Sequence, residues 1–403
     1  MKQHLKKIIT FIVRNTALLF LLVFFLLFSC KKESSGSVST NPYPFKFDFS
    51  TIEKFIKESI SNSAFPGAVL LIGNKDSILY QKAFGHFTYD KNSPNVSTST
   101  IYDLASLTKV IATTTAIMLL VDRKILSLDD KVSVYIPEFG KNGKEGTTIR
   151  NLLKHNSGLP AWKKFYPDKK NKTEILDDIC NITPEFKPGS KTQYSDLGFI
   201  TLGIIIEKIS GISLDSFCTK EIFEPLKINN TFFNPDEKNL KTTIAPTEVD
   251  NYWRSRLLQG EVHDETASIM NGVSGHAGLF STAEDLYKLV KVLMNDGQKE
   301  NTQFISQSTI KDFLKRESNT ESRLLGWDAK SKTGSSAGQY FSDSSFGHTG
   351  FTGTSIWADP EQNLIVVFLT NRVYPSRENK KIINVRPALH DLIIKTISKN
   401  KIN

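Results

Sequence analysis

Apolar side chains at Ile52, Phe55, Ile56 and Ile60 recur at three- and four-residue spacing, which predicts an amphipathic helix over Thr51–Ser61. Two apolar runs follow, Gly67–Gly73 and Ser77–Phe84, and the turn residues Asn74-Lys75-Asp76 between them mark a hairpin. From Ser106 to about Asp122 the chain is apolar nearly all round (Val110, Ile111, Ala112, Ile117, Met118, Leu119, Leu120), the pattern of a buried helix. Between roughly 125 and 300 the pattern is mostly helical, with helices predicted at Thr148–His155, Thr173–Cys180, Ser195–Ser210, Leu214–Phe223 and Thr282–Asn295. Ser281, followed by Glu284 at the third position, reads as a capping box for the last of these. Strand pattern returns from Leu324, and Thr354–Ala358 and Leu364–Thr370 flank the turn Asp359-Pro360-Glu361-Gln362-Asn363. Pro387–Ile397 closes the chain as an amphipathic helix. Strands at both ends with helices between them predict an α/β (α+β) fold. One antiparallel sheet is formed from both chain ends with flanking helices, a mostly helical region is inserted, and a cleft lies between the two parts.

The N-terminus has a different logic. Lys2, Lys6, Lys7 and Arg14 precede an apolar run from Ala17 to Phe28, too short for a confident membrane span and suited to export. Leu27-Phe28-Ser29-Cys30 resembles the bacterial lipoprotein cleavage box, although Phe28 is bulky for that place. The resemblance implies a lipoprotein signal peptide at residues 1–29, lipidation of Cys30, and anchoring to the bacterial cell envelope through the lipid. Residues 30–44 then form a flexible tether, 45–397 the globular domain and 398–403 a tail. A plain signal peptide or an uncleaved anchor are the alternatives. Losing residues 1–29 removes four positive charges, so the formal charge of +9 falls to +5. That mild bias suits anionic envelope polymers, and without basic–aromatic interleaving it gives no case for nucleic acid. Cys180 and Cys218 are then the remaining thiols, a pair at most and no disulfide framework.

Candidate chemistry lies in three fragments: Ser106-Leu107-Thr108-Lys109, Tyr194-Ser195-Asp196 and His348-Thr349-Gly350. The first puts a hydroxyl and an amine one helical turn apart, the second adds a phenol, and the third a glycine-flanked imidazole on a strand. Ser-x-x-Lys alone is nearly uninformative, since it recurs at Ser29–Lys32, Ser308–Lys311 and Ser398–Lys401. Only the Ser106 copy opens a strongly apolar helix. Lys332-Thr333-Gly334-Ser335 imitates a third motif but lacks strand periodicity, so His348 is preferred. His86, His155 and His390 read as structural, and Trp162 and Tyr166 as packing or rim residues. No histidine has metal-ligand spacing, so no metal or cofactor is expected.

Taken with Leu152–Pro160, Val262-His263-Asp264-Glu265, the run Gly272–Ser281 and Gly347–Thr354, the three fragments resemble the class C β-lactamase-like serine hydrolases over roughly residues 50–397. Among these the chain looks most like the branch linked to cell-wall peptides, beside D-alanyl-D-alanine carboxypeptidases and esterases. The resemblance implies a Ser106 nucleophile that forms an acyl-enzyme, with Lys109 of lowered pKa and Tyr194 as proton-transfer groups. It also implies oxyanion donors at the N–H groups of Ser106 and Phe351, the former at a helix N-terminus. His348, Gly350, Asp196, His276 and His263 fall among the substrate-binding positions, with structural roles open for the two loop histidines. Asp196 stands where penicillin-interacting relatives often carry Asn, and His348 where β-lactamases carry Lys. Both departures point away from β-lactams and towards peptidoglycan-derived peptide or amide hydrolysis in the envelope. An esterase on small acyl esters and a catalytically silent envelope-binding protein are the alternatives, and the sequence leaves oligomeric state open.

Overall fold

The computed structural model describes residues 47–235, 240–318 and 322–399. The export segment, Cys30, the tether and the tail beyond residue 399 lie outside the described residues.

A six-stranded antiparallel sheet is made by both chain ends. Its strands are β1 (Gly67–Gly73), β2 (Ile78–Gly85), β3 (Asp328–Ala329), β4 (Phe346–Thr349), β5 (Ser355–Asp359) and β6 (Leu364–Thr370). They lie in the order β3-β4-β5-β6-β1-β2, so the two ends meet where β1 pairs with β6, Val69 opposite Leu369. Strands β1 and β6 are apolar at nearly every position because both faces of the sheet are covered. On one face Leu70, Val366, Phe368 and Trp357 pack against Ile52 and Ile56 of α1 (Ser50–Ser61) and against Leu389 and Ile393 of the C-terminal helix Ile382–Lys399. On the other, Val69, Leu71, Val367 and Leu369 join the core of the inserted region. Continuous burial on both sides replaces the usual in–out alternation.

The inserted region carries the expected helices, with short strands among them. Tyr102–Asp103, Leu279–Ser281 and Phe232–Phe233 form a small three-stranded sheet. Three local expectations are corrected. The Ser106 segment is not one continuous α-helix: a 3₁₀ turn at Ala105–Leu107 leads into a π-helical stretch, Lys109–Thr114, before α2 (Thr115–Asp122). Threonine hydroxyls hold this wider winding, Thr115 donating to Val110 O five residues back (3.0 Å) and Thr113 to Gly275 O (2.7 Å). The helix Ala283–Met294 is capped by Thr282, whose hydroxyl accepts from Asp285 N–H, so the cap lies one residue beyond Ser281. The C-terminal helix starts at Ile382, with Pro387 inside it rather than at its start. Cys180 and Cys218 are both buried free thiols.

Candidate active site

Ser106 is fixed by its neighbours before any partner side chain is considered. Ala105 has φ +47°, a left-handed conformation that costs a non-glycine residue about 1–2 kcal/mol. Buried Asp103 holds it there, one carboxylate oxygen accepting from Ala105 N–H (2.8 Å) and the other from His263 N–H (2.7 Å). From the sheet side, the hydroxyls of Thr352 and Thr354 bond to Asp103 O (2.6 Å) and Leu104 O (3.0 Å). Gly350 permits that approach, since a Cβ there would lie 2.3 Å from Leu104 O.

Lys109 is fully buried beneath Ser106. Its ammonium donates to Ser106 Oγ (3.0 Å) and to His276 O (3.0 Å), and forms an ion pair with Asp196 Oδ1 at 2.7 Å. Tyr194 lies alongside, its ring centroid 5.0 Å from Lys109 Nζ. Burial opposes the charge on Lys109, but Asp196 and Tyr194 outweigh it and raise the pKa above the ordinary lysine value. This reverses the lowered value expected from the sequence, which did not include a carboxylate at ion-pair distance. Burial likewise pushes the Tyr194 phenol up. The resting constellation is an ammonium, a neutral phenol and a serine hydroxyl that accepts from the ammonium.

The Tyr-Ser-Asp segment is carried on the start of α3 (Asp196–Ser210), with Ser195 as N-cap. Ser195 N–H donates to His155 Nδ1 (2.9 Å), its hydroxyl donates to Pro160 O (2.7 Å), and the His155 ring lies against Tyr194 with centroids 4.5 Å apart. His155 is therefore structural, as read from the sequence, and part of the support for Tyr194. Burial holds its pKa well below the usual value, so it is neutral.

His348, on β4, is also buried, and its pKa is pulled down to about 4. Its Nδ1 donates to Thr349 O (2.8 Å), which leaves Nε2 with its lone pair and no hydrogen-bond partner among the described residues. Phe351 follows in a turn whose backbone bonds run from Gly350 N–H to Thr354 O (2.7 Å) and from Gly353 N–H to Gly350 O (3.2 Å). Phe351 N–H takes part in neither bond. Ser106 N–H lies in the first, 3₁₀ turn of a helical run that continues unbroken through Lys109–Thr114 to Asp122, so it keeps its place at a helix N-terminus.

Two pockets meet at Ser106, Tyr194 and Phe351. One, of about 330 Å³, is lined by Arg323, Arg372, Lys380 and Arg386 with Asp328, His348 and Gly350. The other, of about 350 Å³, holds Asp196, His263, Asp264, His276, Trp162, Tyr166, Glu265 and Arg377. Here His276 Nε2 donates to Asp264 (2.9 Å); burial opposes that carboxylate's charge, but His276 holds its pKa far below the ordinary range. His263 pairs with Glu248 (3.0 Å), which Arg377 also grips. Burial opposes the charge on Glu248, yet His263 and Arg377 take its pKa down to about 2. The arginines and Asp328 were not legible as site residues, because they come from segments distant in sequence. Lys332 and Gly334 line a separate surface hollow against the C-terminal helix, away from Ser106. Among the described residues no cluster of histidine, cysteine and carboxylate side chains is arranged to hold a metal.

The beta-lactamase family model matches residues 52–389. An N-acetylmuramyl-L-alanine amidase of Bacillus subtilis is 34% identical over 357 residues, covering 80% of each chain. Among solved structures, the octameric penicillin-binding protein homologue from Pyrococcus abyssi superposes with TM-score 0.68 at 24% identity, covering 86% of this chain and 78% of that one. A class C beta lactamase from Rhodobacter sphaeroides gives TM-score 0.67 at 20% identity, covering 85% of this chain and 99% of that one. With one family model spanning the sheet, the inserted region and every site residue just described, the chain belongs to the beta-lactamase family and is a hydrolase of the serine type.

Proposed function

We propose that the chain hydrolyses peptidoglycan-derived peptides or amides through an acyl-enzyme at Ser106, in the bacterial cell envelope. The observation that carries this reading is Ser106 Oγ bonded to buried Lys109 at the junction of a cationic and an aromatic pocket. Four cations against the single carboxylate of Asp328 suit a peptide bearing free carboxylates. The Bacillus subtilis relative, an N-acetylmuramyl-L-alanine amidase, points the same way. Envelope attachment through a lipid on Cys30 belongs to the same reading, supported by Leu27-Phe28-Ser29-Cys30 after a basic and apolar leader.

The chemistry follows from the charged resting state. As Ser106 Oγ bonds to the carbonyl carbon, its proton passes to Lys109 while Lys109 yields one to Asp196, so the ammonium is retained and the carboxylate becomes neutral. The carbonyl oxygen gains the electron pair and faces the N–H groups of Ser106 and Phe351. The C–N bond then breaks, and the leaving amine takes a proton from Tyr194. Lys109 restores the proton to Tyr194, and Asp196 restores one to Lys109. Water attacks the ester by the same relay and returns the Ser106 hydroxyl.

A fluorophosphonate probe is expected to label the wild type and leave Ser106→Ala unlabelled, and mass spectrometry of muropeptides is expected to show one bond cut only by the wild type. Labelling that persists in Ser106→Ala removes the nucleophile assignment. Ester turnover without muropeptide cleavage favours the esterase alternative, and neither labelling nor turnover favours a binding protein.

A further inference from the structure

The turn that carries Phe351 is gripped by two arginines from outside the sequence motifs. Arg386, on the C-terminal helix, is buried and donates through Nη2 to Gly350 O (2.8 Å) and Thr354 O (2.8 Å). Arg372, just past β6, donates through Nε to Phe351 O (2.7 Å), and its guanidinium lies 4.4 Å from the Phe351 ring centroid. Both line the cationic pocket beside Ser106, yet both direct hydrogen bonds at the protein's own backbone.

Gly350 C=O and Phe351 N–H are the two ends of one peptide group. Arg386 therefore sits on the oxygen of the same amide whose N–H faces the substrate carbonyl. A cation on that oxygen draws electron density onto it, raises the double-bond character of the C–N bond and leaves the N–H more positive. Gly353 N–H bonds to the same oxygen (3.2 Å) and pulls in the same sense. Arg372 acts on the next amide, which fixes the tilt of Phe351 without polarising its N–H. Arg386 also carries its charge without a counter-ion. Among the described residues no carboxylate pairs with it and its Nε has no hydrogen-bond partner, while burial, helped by the charge of Arg372, takes its pKa down to about 9. It is still protonated at neutral pH. A buried cation without an anion is costly in the resting protein. Negative charge develops beside the turn only as the substrate carbonyl becomes an oxyanion, where a fixed cation lowers the barrier rather than the ground state.

We propose that Arg386 is a positioning residue that activates the Phe351 N–H through the Gly350–Phe351 peptide group, so that the C-terminal helix sets the strength of the oxyanion hole. The proposal rests on the acyl-enzyme reading above, in which Phe351 N–H is an oxyanion donor, and it is independent of which acyl group is cut. Arg386 touches no reacting atom and takes no part in proton transfer.

The test uses the full-length protein and an uncharged alkyl fluorophosphonate, whose phosphoryl oxygen enters the oxyanion hole. Arg386→Gln is expected to slow labelling of Ser106 by about tenfold or more, short of the roughly 10²–10³-fold that losing an oxyanion donor outright costs. Arg386→Lys, which keeps the charge, is expected to label faster than Arg386→Gln. Phosphorus NMR of the stable Ser106 adduct reads the donor directly: the offset between the folded and the denatured adduct is expected to shrink in Arg386→Gln. Arg372→Gln loosens the same turn without touching that amide, and is expected to keep more of the offset. Melting temperatures separate these effects from loss of the fold. A labelling rate or an adduct offset unchanged in Arg386→Gln overturns the proposal, as does a lysine variant no faster than the glutamine one. A loss confined to carboxylate-bearing substrates and absent with this probe also overturns it, and gives Arg386 to substrate binding instead. If the wild type is itself unlabelled at Ser106 the acyl-enzyme reading fails and takes the proposal with it, whereas a labelled wild type matched by Arg386→Gln sinks the proposal alone.

Discussion

Replacing Asp196 by asparagine keeps the size of the side chain and removes the carboxylate that sits 2.7 Å from Lys109 Nζ. Coulomb's law at that distance with an effective dielectric of about 20 gives an attraction of about 6 kcal/mol. Asp196 is 20% exposed, which reduces the figure without changing its sign. In the wild type this attraction overcomes the burial that would otherwise favour a neutral amine. In Asp196→Asn burial is unopposed by that carboxylate, and Lys109 loses its proton at lower pH. The neutral amine then takes the Ser106 proton directly, and the relay through Asp196 is no longer needed.

The assay is the rate of fluorophosphonate acylation as a function of pH. The wild type acylates from its ammonium state and is expected to show no limb that follows Lys109, whereas Asp196→Asn is expected to gain one that rises about tenfold per pH unit as Lys109 deprotonates, one unit corresponding to 1.36 kcal/mol. Stability gives a second readout with a definite sign. The raised Lys109 pKa of the wild type contributes stability below the unfolded value, lost as pH rises through the folded one. Once the folded pKa falls below the unfolded value, stability is instead lost as pH falls, and a buried charge without its partner costs about 3–5 kcal/mol. Asp196→Asn is therefore expected to be less stable relative to wild type at pH 7 than at pH 10. An acylation profile that stays in place would refute the reasoning, since Asp196 would then not control the charge on Lys109.

Acid should destabilise the fold through its buried histidines. His348 and His390 have pKa values lowered to about 4 and His155 lies well below its usual value, all with burial as the leading cause, while the unfolded chain protonates near 6.5. Stability therefore falls as pH drops from about 6.5 towards 4, by about 1.4 kcal/mol per unit for each histidine and about 4 for the three together. Urea unfolding at pH 7 and pH 5 measures the slope, His348→Gln should remove about a third of it, and a flat profile contradicts the burial argument. Gly275→Ala would set a Cβ 2.1 Å from Phe199 O and 2.9 Å from Gly203 N, with backbone on every side. The loop must shift, at about 1–3 kcal/mol, and it carries His276 O away from Lys109. A lower urea midpoint with slower Ser106 labelling is expected, and a variant equal to wild type on both would show that the loop does not position the lysine.

The chain's periodicity was enough to specify the sheet and its position in the sequence. The strands β1, β5 and β6 and helix α1 read correctly because apolar runs and turn residues such as Asn74-Lys75-Asp76 act locally. The capping box slipped by one residue because Ser281 and Thr282 offer equivalent hydroxyls, and Ser281 is drawn off to the Thr231 hydroxyl (2.7 Å). The π-helical winding after Ser106 was not legible, because Thr113 is bonded to Gly275, 162 residues away.

At the site, residue types were legible and their electrical state was not. Ser106, Lys109, Tyr194 and His348 could be named from motifs, since motifs record which chemical groups are present. The charge on Lys109 depends on the balance between its burial and the nearness of Asp196, and both quantities come into being only on folding. The cationic pocket likewise gathers Arg323, Arg372, Lys380 and Arg386 from the sheet's approach and the C-terminal segment. Tyr166 is likewise brought against Tyr252 and Trp253 from a segment distant in sequence. Local sequence determines which side chains and elements exist. Tertiary structure sets the distances and the dielectric between them, and with those the protonation, the support of Tyr194 by His155, and the two opposed faces that meet at Ser106.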